Sequence, residues 1–63
     1  MTIDYDSLLF MFRKLDSLYI HTYDDPEHFY MEVKFPGEEQ TKSGKICFKF
    51  DSWGKLISAT RID

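Results

Sequence analysis

The chain is predicted to be an α+β domain: one N-terminal helix packed on one face of a three- or four-stranded antiparallel meander. Three observations predict it. Apolar residues recur at three- and four-residue steps near the start. Two later segments alternate apolar and polar residues. The stretches between them are punctuated by Asp, Pro and Gly, as turns are. With 63 residues in all, there is room for one domain, spanning 1–63, and none for a dinucleotide fold or a barrel.

The helix is expected over about residues 4–16. Asp4 or Thr2 serves as its N-cap, and Asp4 and Asp6 suit the positive end of a helix. Tyr5, Leu8, Leu9, Met11, Phe12 and Leu15 form its apolar stripe, which leaves Phe10 on the polar side with Asp6, Arg13, Lys14 and Ser17. A phenylalanine so placed is either a stray exposed ring or a contact with a partner.

Leu18 to Tyr23 is rich in aromatic and β-branched residues and reads as a strand, with a helix extension as the alternative; the latter would leave three strands. Asp24-Asp25-Pro26-Glu27 is a turn. His28 to Phe35 alternates with apolar odd positions, and Lys45 to Phe50 with apolar even positions. A polar loop joins them from Pro36 to Gly44. Asp51-Ser52-Trp53-Gly54 predicts a type I turn with Gly54 in the left-handed region, closing a bulged hairpin onto a last strand, Lys55 to Ile62.

Pairing these strands in order sorts their side chains onto two faces. With residues 24–27 as the first turn, Tyr23 opposes His28, His21 opposes Tyr30 and Tyr19 opposes Glu32. Phe29 is paired with Phe50, Met31 with Phe48 and Val33 with Ile46. The core face then holds Leu18, Ile20, Phe29, Met31, Val33, Phe35, Ile46, Phe48 and Phe50. The other face holds Tyr19, His21, Tyr23, His28, Tyr30, Glu32, Lys34, Lys45, Cys47 and Lys49. With the bulged turn, which is favoured because it pairs Asp51 with Lys55 and places Leu56 in the core, Phe50 meets Leu56, and Lys55, Ile57, Ala59 and Arg61 join this open face; with a plain four-residue loop, Leu56, Ser58, Thr60 and Ile62 join it instead.

That open face is where function is expected. Flat rings stack on bases and cations meet phosphate. Tyr19, Tyr23, Tyr30 and His28 are the candidates for stacking. Lys34, Lys45, Lys49 and Arg61 are the candidates for phosphate. The ligand so described is a small anionic nucleotide, cyclic or linear. The formal charge of −3, divided as −5 over residues 1–32 and +2 over residues 33–63, disfavours double-stranded DNA. Ordinary solvation of a sheet face, or face-to-face oligomerisation, are the competing uses of the same residues.

Other chemistry is not expected. Cys47, His21 and His28 share a face without standing opposite one another, so no nucleophile and base are in contact. Asp24, Asp25, Glu27 and His28 match no metal spacing, and no glycine-rich phosphate loop occurs. The expectation is a non-enzymatic protein with neither metal nor cofactor. No apolar run approaches a membrane span, and no secretory leader is read at the start. One cysteine, unable to form an internal disulfide, points to the cytosol. Six Phe and four Tyr in so short a chain exceed what one helix and a sheet can hide, so a homo-oligomer is expected. Trp53, at a hairpin tip, and Phe10 are the candidate protein-interface residues.

Short, acidic, aromatic-rich and carrying a single cysteine, the chain resembles in kind the accessory proteins that bacteriophages direct at host functions. That class includes inhibitors that plug a host protein and small oligomeric sponges that sequester nucleotide immune signals. The resemblance is one of size and composition, so it assigns no residue a role. It implies a sponge for a small anionic nucleotide, or alternatively an inhibitor of one host protein acting through Trp53, Phe10 and the Asp24-Asp25-Glu27 turn. A structural module without ligand is the third reading.

Overall fold

A computed structural model of the protein describes residues 3–15, 18–34 and 45–62. It has one helix, α1 (Tyr5–Arg13), followed by four strands: β1 (Tyr19–Asp24), β2 (Phe29–Lys34), β3 (Lys45–Phe50) and β4 (Leu56–Ile62). The strands form one antiparallel sheet in sequence order. The expected loop from Pro36 to Gly44, Phe35, the alternative cap Thr2 and the expected helix end at Asp16 lie outside the described residues.

Helix α1 begins where its cap dictates. Asp4 is extended, and its carboxylate accepts the Ser7 backbone N–H at 2.8 Å. The helix is shorter than expected: Lys14 is already the C-cap, and Leu15 lies beyond it. The chain before the helix is tied to the sheet. Asp4 forms an isolated antiparallel bridge with Lys55, and the Leu56 N–H donates to the Ile3 carbonyl at 3.1 Å.

The strand 18–23 is realised as 19–24, so the four-stranded alternative holds. Its pairing with β2 is offset by two residues from expectation. Tyr23 opposes Tyr30, His21 opposes Glu32 and Tyr19 opposes Lys34. The reason is the turn. Residues 25–28, not 24–27, close it, with the Asp25 N–H donating to the His28 carbonyl at 2.9 Å. The Asp25 carboxylate accepts the N–H groups of Glu27 and His28 at 2.8 and 2.7 Å, an Asx turn that Asp24 cannot make in the same place. A two-residue offset preserves the faces. The expected β2–β3 pairs, Phe29–Phe50, Met31–Phe48 and Val33–Ile46, are the observed ones.

The last hairpin combines an agreement and a correction. Gly54 has φ +89°, and Phe50 opposes Leu56, as expected for the bulged turn. A further irregularity then follows. Ile57 is an extra residue, and Lys49 opposes Ser58. One inserted residue reverses side-chain parity for the rest of the strand. Ala59 and Arg61 therefore stand opposite Phe48 and Ile46, on the apolar face. The expectation that Arg61 and Ala59 join the open face is overturned, and Ser58, Thr60 and Ile62 take those places. The bulge makes chemical sense. Without it Ser58 and Thr60 would face Phe48 and Ile46, whereas with it small Ala59 lies across from Phe48.

The buried core is small. Leu8, Met31, Val33 and Phe50 are buried, the last three completely. Tyr5, Leu9, Phe12, Leu18, Ile20, Phe29, Phe48 and Leu56 pack around them while half-buried. Aromatic contacts join α1 residues to strand residues: Tyr5 lies 5.4 Å from Phe29 and 5.3 Å from Phe50, the latter edge-on, and Phe12 lies 5.7 Å from Phe48. Each such pair contributes about 0.5–1.5 kcal/mol beyond its area. Phe10 and Trp53 stay outside this cluster, exposed by 63% and 85%.

Candidate functional site

The open face is built by strand alternation. Tyr19, His21 and Tyr23 come from β1; Tyr30, Glu32 and Lys34 from β2; Lys45, Cys47 and Lys49 from β3. Nine of the residues expected there share this face. His28 is displaced into the turn beside it, 6.2 Å from the Tyr30 ring. Arg61 is not on it, for the reason given above.

Glu32 is the hub. Its carboxylate accepts the Tyr23 hydroxyl at 2.8 Å and the Lys45 ammonium at 3.1 Å. These bonds, the Tyr23 hydroxyl first, hold the Glu32 carboxyl below the usual carboxylate range. Reciprocally, the Glu32 carboxylate, with some desolvation and the nearby Cys47 thiol, pushes the Tyr23 phenol well above its ordinary value. Tyr30 donates its hydroxyl to Asp25 at 2.8 Å, which pushes that phenol up as well. The Asp25 carboxyl is held low by the Glu27 N–H, the Tyr30 hydroxyl and the His28 N–H. Tyr23 and Tyr30 stack on each other, centroids 4.9 Å apart and planes within 12°, and His21 lies 5.4 Å from Tyr23.

These bonds divide the face into two unequal ends. At one end a groove of about 510 Å³ is lined by Tyr19, Ile20, His21, Glu32, Lys34 and Lys45. Two ammonium groups and a single carboxylate give it a positive balance even with His21 neutral. The Tyr19 ring is 79% exposed, so it is available to stack. Glu32 pairs with Lys45 at 3.1 Å. At the other end a hollow of about 400 Å³ is lined by Asp25, Pro26, Glu27, His28, Tyr30 and Lys49. Its two carboxylates outweigh its one lysine, and Asp25 also lies 3.5 Å from the His28 ring. An anion is favoured at the first end and repelled at the second.

Sequence reasoning thus named Tyr19, Lys34 and Lys45 as ligand residues and the structure brings them together. Tyr23, Tyr30, His28 and Lys49 share the neighbourhood but surround carboxylates. The remaining lining residues of the groove, Ile20, His21 and Glu32, lie outside the expected ligand set. Glu32 was legible as an acid among lysines on one face, with Lys45 diagonal to it in the expected β2–β3 register, but its Tyr23 bond required knowing the two-residue offset of β1.

The carboxylate bonds make an acid prediction. Asp4, Asp25 and Glu32 all have carboxyls below their usual range in the folded chain. Their contribution to stability is complete above the unfolded carboxylate range near ~4 and is lost as pH falls through the lower folded values. The expected result is a circular-dichroism acid transition that Glu32→Gln makes shallower. For Tyr23 and Tyr30 the sign reverses. Their raised values contribute stability that is present below ~10 and lost above it. A phenolate absorbance titration is expected to show both lagging behind the ordinary phenol range.

Among the described residues no helix is long and apolar enough to cross a membrane. Among the same residues no group of three or more His, Cys, Asp or Glu is placed to hold a metal ion. Comparison with family models, curated proteins and solved structures finds no significant match to this chain.

Proposed function

We propose that this chain is a non-enzymatic binding protein that sequesters a small anionic, aromatic ligand, a nucleotide or cyclic nucleotide by chemistry, in the Tyr19–Lys34–Lys45 groove. In this reading α1 covers the apolar face of the sheet, and the opposite face does the binding. The observation that carries it is the groove itself: two lysines and a histidine around an exposed tyrosine ring, in a volume suited to a small molecule. Tyr19 stacks on the base, Lys34 and Lys45 meet phosphate, and His21 adds a donor. Glu32 anchors the Lys45 ammonium at the groove. The resemblance in kind to phage sponges, which act in the host cytosol, agrees with this assignment.

Calorimetric titration with a panel of mono-, di- and cyclic dinucleotides tests it. A binder should emerge whose affinity falls with added salt. Lys34→Glu with Lys45→Glu should abolish that binding, and Tyr19→Ala should weaken it at least tenfold, with the circular dichroism of all variants unchanged. Lys49→Glu, at the other end, should weaken it less than either groove lysine. Equal losses at Lys49 and Lys34, or no binder in the panel, would remove the assignment.

A second reading has its own observation. Trp53 is the most exposed large apolar side chain among the described residues and sits over a hollow lined by Asp4, Tyr5, Asp6 and Phe29. An exposed tryptophan is an effective anchor for a protein partner. A host protein retained by the wild-type chain and released by Trp53→Ala would favour inhibition over sequestration.

A further inference from the structure

We infer that the outward face of α1 is a two-fold dimer interface between copies of this chain, centred on Phe10. Phe10 and Met11 are exposed by 63% and 55% on a nine-residue helix, while only four apolar side chains are buried among the described residues. A domain this small gains much from covering such rings. What identifies the occupant as a second copy is charge. Asp6 lies four residues before Phe10 and Lys14 four residues after it. At 1.5 Å per residue each stands about 6 Å from Phe10 along the axis, on opposite sides.

Two such helices packed antiparallel with their Phe10 rings at the axis therefore set each Asp6 against the partner's Lys14. The stripe is its own complement. Isologous contact requires this property, and an arbitrary partner would have no reason to match it. Lys14 already lies over the Phe10 ring, its Nζ 4.4 Å from the centroid, so the cation and the ring share one side of the helix, and in the dimer the cation turns from its own ring to the partner's carboxylate. Antiparallel packing also sets each helix N-terminus beside the partner's C-terminus, where the two dipoles attract. None of these residues lines the groove, so the dimer and the ligand reading stand or fall separately.

Charge reversal in two separate variants tests it. Sedimentation equilibrium of the wild type should show a reversible dimer. In Asp6→Lys alone, both copies place an introduced lysine against Lys14; in Lys14→Glu alone, both place an introduced glutamate against Asp6. Each variant by itself should dissociate at least tenfold more readily. Mixed one to one, the two should recover the wild-type dimer, because every facing pair is then opposite in sign. Phe10→Ser should dissociate the wild-type dimer without changing ligand affinity per chain. If either reversal loses helical circular dichroism, Asp6→Asn and Lys14→Gln replace the pair, each expected to weaken the dimer by a smaller factor. A wild type monomeric at millimolar concentration, an assembly indifferent to Asp6→Lys, or a mixture that fails to recover would overturn the interface.

Discussion

Phe50→Ala is expected to leave the chain mostly unfolded at room temperature. Phe50 is completely buried. It stands between Phe29 and Leu56 on neighbouring strands, and Tyr5 meets it edge-on. Removing a buried phenyl costs about 3–5 kcal/mol, transfer and cavity together. A single core in a domain below about 70–80 residues rarely supplies more than about 3–5 kcal/mol, so a chain of this length has little more than that to lose. The cavity cannot close easily. Its walls are a hairpin held at fixed register by the Gly54 turn and a helix end held to the same turn. Urea unfolding followed by circular dichroism reads the effect, and Trp53→Ala is the control. That side chain is exposed, so its removal should shift stability by less than about 0.5 kcal/mol. Equal midpoints for the two variants would show that Phe50 is not the centre of the core.

Gly54→Ala is expected to lower the melting temperature sharply although the single carbon it adds meets no clash. An added Cβ would lie 3.8 Å from the Tyr5 Cβ, an ordinary contact. The penalty comes from the backbone. At φ +89° an L-residue loses about 1–2 kcal/mol, and in a domain this size each kcal/mol moves the midpoint by about 4–8 °C.

The turn cannot relax to avoid this. Its Asp51 carboxylate accepts the Trp53 and Lys55 N–H groups, both at 2.9 Å, and the Gly54 N–H donates to the Asp51 carbonyl. The Gly54 carbonyl in turn accepts the Tyr5 N–H at 2.7 Å, at the first turn of α1. One glycine therefore joins the last hairpin to the start of the helix. Gly54→Asn is expected to recover part of the loss, since asparagine tolerates the left-handed region better than alanine. If alanine and asparagine melt alike and near wild type, the turn does not carry this load.

Much of the local structure was legible because local chemistry decides it. Asp4 before an apolar 3.6-residue stripe marks a helix start. Alternation in Phe29–Lys34 and Lys45–Phe50 marks two strands and separates their faces, and Asp51-Ser52-Trp53-Gly54 carries the residues that its turn type demands. The β2–β3 register followed from matching apolar positions, since a one-residue slip would have driven Met31 and Phe48 into water.

The site was legible only in part. Parity brought Tyr19, Lys34 and Lys45 to one face. Which of the aromatic and basic residues surround cations and which surround carboxylates depended on the first turn, where Asp24 and Asp25 compete to close it. Adjacent aspartates look alike in a sequence; only the one whose carboxylate reaches two backbone N–H groups and the Tyr30 hydroxyl sets the offset.

By itself, then, the sequence determined the helix and the last three strands, their order, the central strand pairing and the two faces of β2 and β3, all consequences of residue preference and of a two-residue period. The tertiary structure alone decided the bulge at Ile57, and with it the side on which Arg61 lies. It also decided the offset that brings Tyr23 to Glu32. Both depend on contacts between residues distant along the chain: Ala59 across from Phe48 in one case, a phenol meeting a carboxylate in the other. No pattern of period two or 3.6 encodes an inserted residue whose advantage is realised only when the opposing strand is in place.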